Sequence, residues 1–582
     1  MPHGSGARRA AAVASVLIPI GAFLHALSYS WQRWGEIAVD WGRELEVARQ
    51  LAAGRVLYAD LHYWYGPLAP YLNAILFTLF GVHTRVLQTA GLCSAALMTA
   101  LLYAVARHMG GRDAGAAVAV AFVYLCAFGH YFLDDIFNWA TPYTYAATYG
   151  MLAATMSLYA LVRHAEGGGP RWFAVSLACL GLTLLTKLEA MLPALLAHAA
   201  LIATRRPHGL RAWARMLAPY GVVIVPVAAI VASFTLRAGV ASYETSLFSP
   251  LNARHLPLIL RYMGVSEWPT ALPAVGLSAL RLGLCLALPA ILACRLGPAA
   301  TPAMRWLATI ACAVVPVVSL RGADPMQVLR ALPLVAVLAF ADTIARRRPA
   351  ADAILWAFAL GALARVPLSA GAYHYGFYLA PVPLAALLLL WFRWLPQRLG
   401  NAPLARRLAV TAGGAVVVTL GWTHAQASAA MYALHTAHVS APRGDLWLLD
   451  DAGGVPVGPL YAATIERLRA YPAGTTVLAA PDGAGLAFLA GLSTWHGRFS
   501  YYPPETGPSA DVQLRGELEM DPPGVIVLLN LLDLSPYGVA GFGRDYATES
   551  VGWIQQRYEV DRAFTGNTVV IARPRGAPAP GN

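Results

Sequence analysis

Between Trp31 and Gly81 the chain carries Glu36, Asp40, Glu44, Glu46 and Asp60 among Trp and Tyr residues, with apolar runs on either side. Carboxylates set between hydrophobic segments can act as general bases, as metal ligands, or as acceptors for hydroxyl groups. Glu36 and Asp40 are four apart, so on a helix they share a face, and a like-charged neighbour raises one pKa. A second acidic-aromatic stretch, LDDIFNWATPY, supplies Asp134 and Asp135 beside Asn138, Trp139 and Tyr143. Carboxylates bond hydroxyls and aromatic rings stack on sugar faces, so two such loops on one surface make a polyol site. The plain alternative is a pair of solvated loops with ordinary acids.

The cations are as uneven as the acids. The sequence holds 42 Lys plus Arg, and Lys187, in LLTKLEA with Glu189 two residues on, is the single lysine. Arg254, Arg261, Arg321 and Arg330 fall at other segment ends, and AYHYGFY places His374 and Tyr375 at another. Each arginine alone is as readily an interfacial side chain reaching for headgroups, and each aromatic an interface anchor.

The elements that must position these residues are membrane helices. The chain is 58% hydrophobic and 12% charged, with mean hydropathy +0.54, whereas a soluble domain is roughly a quarter charged. Apolar segments of about 20 residues recur, the length of a helical span, and the ~10-residue alternation of a membrane β-barrel is absent. The net charge of +12 reflects arginines at alternate ends of the segments, the positive-inside pattern, and not a nucleic-acid surface. The six cysteines (Cys93, Cys126, Cys179, Cys285, Cys294 and Cys312) lie in apolar segments without metal-ligand spacing.

Arg8 and Arg9 precede the first span, Ala10–Tyr29, which reads as uncleaved and runs outward. The first external loop, 31–85, holds a helix over Ile37–Ala53 stopped by Gly54. A second, Leu68–Phe80, begins after the Gly66-Pro67 turn and is too short to span, lying at the interface beside Trp64, Tyr65 and Tyr71. About thirteen spans follow the apolar pattern to Trp422, giving a transmembrane domain over 1–427 and an external C-terminus. Arg281, Asp342 and Arg365 fall inside expected spans, where charge is costly and points to a cavity. From Ser440 the composition shifts to a small α/β domain, 440–582, with strands at Thr475–Ala480, Val525–Leu529 and Val569–Ala572. Ala463–Tyr471 and Asp545–Arg557 read as its helices. Its PDGAGLAF passage matches neither a dinucleotide fingerprint nor a P-loop.

The order of these features resembles a known family. One span is followed by an early loop Asp, then LAAGRVLYAD and YGPLAPYL, a short helix ending in Leu79-Phe80-Gly81, and later LLTKLEA. This is similar to the polyprenyl-phosphate-sugar-dependent transferases of the GT-C superfamily, in particular the aminoarabinose–lipid A transferases and protein mannosyltransferases. The resemblance implies an inverting transfer on the outer face of a bacterial inner membrane, from a lipid-linked sugar phosphate to a lipid or glycan acceptor. It implies that Asp40 activates the acceptor, with Asp134 or Asp135 as the second-loop acid. Asp40 and Asp134 are the pair that could hold a divalent Mg or Mn. A cation must meet the departing phosphate, and the external candidates are Lys187, Arg254, Arg261, Arg321 and Arg330. Glu36, Asp60, Tyr65, Tyr143, Glu189, His374 and Tyr375 are the expected substrate-binding residues. The Asp-Glu pair of protein mannosyltransferases is Asp40-Trp41 here, which argues against a protein acceptor. Competing expectations are a flippase for a lipid-linked saccharide, which would carry charges or broken helices at mid-membrane, and a non-catalytic partner in envelope assembly.

Overall fold

The computed structural model describes residues 4–131, 135–205, 208–238, 260, 265, 268–297, 300–368, 374–502, 510–535 and 538–581. Among them, ten helices are long and apolar enough to cross a membrane. Those used below are α1 (Gly4–Ser30), α4 (Thr84–Gly110), α6 (Tyr145–Ala165), α8 (Leu188–Arg205) and α9 (Leu210–Ala238). The three other expected spans fall on shorter or interrupted helices. These are α5 (Arg112–Phe122, continued by a π-helical turn Val123–Ala127), α7 (Pro170–Leu184) and Pro381–Leu389, continued to Arg398. The helix Ala350–Leu363 lies in the interior against α8 and α6, whereas α9 presents Val222, Val225 and Leu236 outward.

Two short helices fill the first long loop. Helix α2 (Asp40–Ala52) is stopped by Gly54 at φ +95°, and α3 (Leu68–Phe80) by Gly81 at φ +89°. The expected start of α2 at Ile37 is corrected to Asp40. Glu36 therefore does not share a helical face with Asp40; its Oε1 instead accepts the Ala38 N–H at 2.9 Å. A carboxylate in the first turn complements the positive end of the helix dipole, which suits Asp40 to begin α2. Helix α3 buries Ala69, Pro70, Asn73, Ala74 and Phe77 and exposes Leu72, Ile75, Leu79 and Phe80, an apolar outer face on a helix too short to span.

The last membrane helix, Pro403–Ala433, outruns its apolar stretch. Its final turns carry polar groups spent inside the protein: Ser428 Oγ accepts the His130 N–H at 3.1 Å and Tyr432 is buried. The C-terminal domain opens with the hairpin β1 (Ala437–Ala441) and β2 (Gly444–Leu448). A five-stranded sheet follows in the order β4-β3-β5-β7-β6, made of β3 (Thr476–Ala480), β4 (Ser493–Thr494), β5 (Val525–Leu529), β6 (Tyr558–Phe564) and β7 (Val569–Pro574). The first three strands are parallel, and β7 and β6 run antiparallel. Alternate residues serve its two faces. Val477, Ala479, Val525, Val527 and Leu529 join the core shared with the membrane part, while Leu478, Ile526, Trp495 and Trp553 build a separate core behind.

Candidate active site

Lys187 occupies the break between α7 and α8, where Thr186 Oγ1 bonds back to the Thr183 carbonyl at 2.6 Å and closes α7. The first loop is clamped to this break by backbone hydrogen bonds, from Gly66 N–H to the Thr186 carbonyl (2.7 Å) and from Leu68 N–H to the Leu185 carbonyl (3.0 Å). A Cβ at Gly66 would lie 2.3 Å from the Leu185 oxygen, so only glycine permits the approach. The clamp sets the Tyr65 ring 4.3 Å from the Lys187 ammonium, with Tyr143 at 4.8 Å and Tyr378 at 5.9 Å. Lys187 donates to the Tyr143 hydroxyl at 2.7 Å and lies 3.5 Å from Glu189 Oε1. It is only 5% exposed. Burial pulls its pKa down to about 8; Glu189 and Asp40 oppose that and Arg365 adds to it.

Arg365, noted in the sequence only as a charge inside a span, closes the cluster. Its Nη1 meets Glu189 Oε1 at 2.7 Å and its guanidinium lies 5.2 Å over the Tyr375 ring. Tyr375 packs edge-on against Tyr143 at 5.0 Å, and Phe137 meets both Tyr375 and His374. Burial, with Arg365 nearby, holds His374 down to about 4, so that imidazole is neutral. Glu189, Lys187, Arg365, Tyr65, Tyr143, His374 and Tyr375 are therefore one assembly, drawn from five segments of the chain.

Asp40 stands at its edge. Its carboxylate pairs with Arg43 one helical turn on and is 22% exposed, and its field reaches both Lys187 and Tyr65. Behind Arg43, Glu44 is buried and accepts from the Tyr63 hydroxyl (3.0 Å) and the Tyr145 N–H (3.2 Å). Burial raises it to about 7 against the pull of Arg43. The result is a partly exposed carboxylate, paired with Arg43, whose field reaches a recessed ammonium among aromatic rings.

Other expected residues sit elsewhere. Asp135 is buried: its Oδ2 accepts the Gly35 N–H at 3.1 Å and its Oδ1 accepts from Asn138 at 2.7 Å and Tyr432 at 3.3 Å. Burial raises it to about 8. In this geometry Asp135 ties the first two polar loops to the end of the last membrane helix. Asp60 staples a turn by accepting the Val56 N–H at 2.7 Å, with an exposed side chain. Arg321 is exposed just past the helix Pro302–Leu320. Arg330 is buried with its guanidinium 5.2 Å from the Trp268 ring. Asp342 pairs with Arg346, Arg348 and Arg398 at a helix end, so its charge marks no cavity. Asp134, Arg254 and Arg261 lie outside the described residues. Among the described residues no three His, Cys, Asp or Glu side chains converge as a metal donor set, and Asp40 is engaged by Arg43. The other half of the expected Asp40–Asp134 pair lies outside the described residues.

Residues 65–234 match the profile of the dolichyl-phosphate-mannose-protein mannosyltransferase family. The matched segment includes Tyr65, Tyr143, Lys187 and Glu189, while Asp40, Arg365 and the C-terminal domain lie outside it. No curated protein sequence matches the chain. Among solved structures, ArnT from Cupriavidus metallidurans in the apo state is 15% identical, with 96% of this chain and 97% of that one covered at a TM-score of 0.44. The same protein bound to undecaprenyl phosphate is 16% identical, with the same coverage and a TM-score of 0.43. The Archaeoglobus fulgidus oligosaccharyltransferase tethered with an acceptor peptide is 13% identical, covering 94% of this chain and 72% of that one, at a TM-score of 0.49.

Proposed function

We propose that the chain transfers a sugar, with inversion, from a polyprenyl-phosphate donor to a hydroxyl of a lipid or glycan acceptor on the outer face of a bacterial inner membrane. The observation that carries this reading is the recessed Lys187–Arg365–Glu189 cluster opposite Asp40. In one step the acceptor oxygen bonds to the anomeric carbon as the bond from that carbon to the phosphate oxygen breaks. Asp40 takes the acceptor proton, and the electron pair leaves with the phosphate. That phosphate gains a full negative charge, and the Lys187 ammonium and Arg365 guanidinium, sharing one carboxylate, provide the net positive charge that stabilises it. Arg365 offers a planar fork and Lys187 a point charge, so the two divide bidentate and axial contacts. Tyr65, Tyr143 and Tyr375 wall the site with rings suited to a sugar face. The family of the matched segment, named for a dolichyl-phosphate sugar, supports a lipid phosphate donor. No step passes through a metal.

Lipid mass spectrometry of envelopes from cells with and without this chain tests the reading. The expected result is the loss of one glycolipid species by a single sugar mass, restored by the wild-type chain and not by D40N. An unchanged glycolipid profile would contradict it.

A further inference from the structure

The helix that begins with Asp40 rests on the C-terminal domain. Gly42, in its first turn, meets Gly485 of the helix Ala484–Ala490: a Cβ on Gly42 would lie 2.6 Å from the Gly485 nitrogen. A Cβ on Gly485 would lie 2.2 Å from the Ile37 carbonyl oxygen and 3.0 Å from Gly42 Cα. Both contacts are backbone against backbone, so a methyl group on either side has no flexible neighbour to displace. One turn further along α2, Glu46 is fully buried and accepts from the Thr494 hydroxyl at 2.9 Å and the Thr494 N–H at 3.3 Å. Gln50 donates to both, at 2.9 Å to Glu46 and 2.7 Å to Thr494, and Arg49 forks onto the same carboxylate at 2.7 and 2.6 Å. Past α2, the His62 N–H donates to the Gly497 carbonyl at 2.9 Å. Three successive points of the first loop are thus fixed to residues 485–497.

We propose that the C-terminal domain is a working part of the transfer site, with Gly485 and Thr494 as positioning residues that set the place of Asp40. The inference rests on the reading of Asp40 as the base. The domain delivers no group to the reacting atoms. Its helix Ala484–Ala490 forms the floor under the first turn of α2, and Thr494 fixes the rotation of α2 by holding Glu46. Asp40 and Arg43 then face the Lys187 cluster, which is built on the other side from the α7–α8 break. A displaced α2 would carry the base away from the acceptor oxygen and leave the phosphate cluster in place.

The test uses the full chain in lipid vesicles. Transfer is read with the donor that lipid mass spectrometry identifies, and phosphate-site binding with polyprenyl phosphate itself. G485A is expected to lower kcat by about 10²-fold, the cost of a misplacement near 1 Å, with binding of polyprenyl phosphate unchanged. T494V is expected to lower kcat severalfold with the same unchanged binding, and T494S to restore it. Wild-type kcat in folded G485A and T494V would overturn the proposal, as would a loss of kcat and phosphate binding together. Should G485A fail to fold, the T494V and T494S pair decides alone. An inactive D40N beside fully active G485A and T494V defeats only this inference, whereas an active D40N defeats the reading of the base.

Discussion

A buried lysine with three tyrosine rings around it is the residue on which the donor side of this account turns. Lys187 stood out in the sequence as the single lysine of an arginine-rich chain, and its neighbours explain the preference. A compact ammonium fits among Tyr65, Tyr143 and Tyr378 where the broader guanidinium fork would crowd them. K187R is therefore expected to lose most activity with its charge retained, and K187A to lose at least as much and to bind polyprenyl phosphate weakly. Equal binding and turnover by K187R would show that any cation serves. Burial also makes this lysine titrate within reach, at about 8. The charged form exists below that value and the phosphate requires it, so binding is strongest below pH 8 and weakens by about tenfold per unit above it. The charged side chains that act on it are Glu189, Arg365 and Asp40. Binding of polyprenyl phosphate measured from about pH 6.5 to 9.5 checks this, and a flat profile would contradict it. Asp135 illustrates the opposite case. Its acidity and setting marked it in sequence, but its three partners come from residues 35, 138 and 432, contacts that no local pattern reveals.

Elements were legible where their own residues dictate them. Helices α2 and α3 followed from helical spacing with Gly54 and Gly81 as stops, and β3, β5 and β7 from short apolar runs. The edge strand β6 was missed because Glu559, Asp561 and Arg562 break its apolar pattern, and Asp561 is held by two guanidinium nitrogens of Arg467 at 2.7 and 2.8 Å. The hairpin of β1 and β2 was missed because AHVSA and GDLWL form no continuous apolar run. The glycines of PDGAGLAF match no nucleotide-binding motif; Gly485 is there so that α2 can approach. What remained hidden was the seam between the first loop and the α7–α8 break, since it depends on backbone pairing between segments more than 100 residues apart. G66A tests that seam. The added methyl group forces the loop away from the Leu185 carbonyl and moves Tyr65 off Lys187, so polyprenyl phosphate binding is expected to fall about 10-fold or more. Wild-type binding in G66A would mean that the clamp does not shape the phosphate site.

At the scale of the molecule, the class was open to reading because bilayer thickness fixes span length. The domain junction was less so. Hydropathy ends near Trp422 but the helix continues to Ala433, its polar last turns being bonded to the second loop. The arrangement requires the site and the C-terminal domain to share one side of the membrane, since α2 rests on residues 485–494. The arginine pattern predicts that side to be the outer one. Alkaline phosphatase fused after Asn582 is expected to be active and a cytoplasmic reporter there silent. The reverse result would place the site on the wrong side for a donor that faces outward.

The central claim is that Asp40 takes the proton from the acceptor while Lys187 and Arg365 receive the phosphate. Single-turnover transfer by purified D40N measures it most directly, because Asn keeps the volume of the side chain and cannot accept the proton. The account predicts polyprenyl phosphate binding equal to wild type and a transfer rate lower by ~10²–10⁴-fold. A folded D40N that transfers sugar at close to the wild-type rate would contradict it.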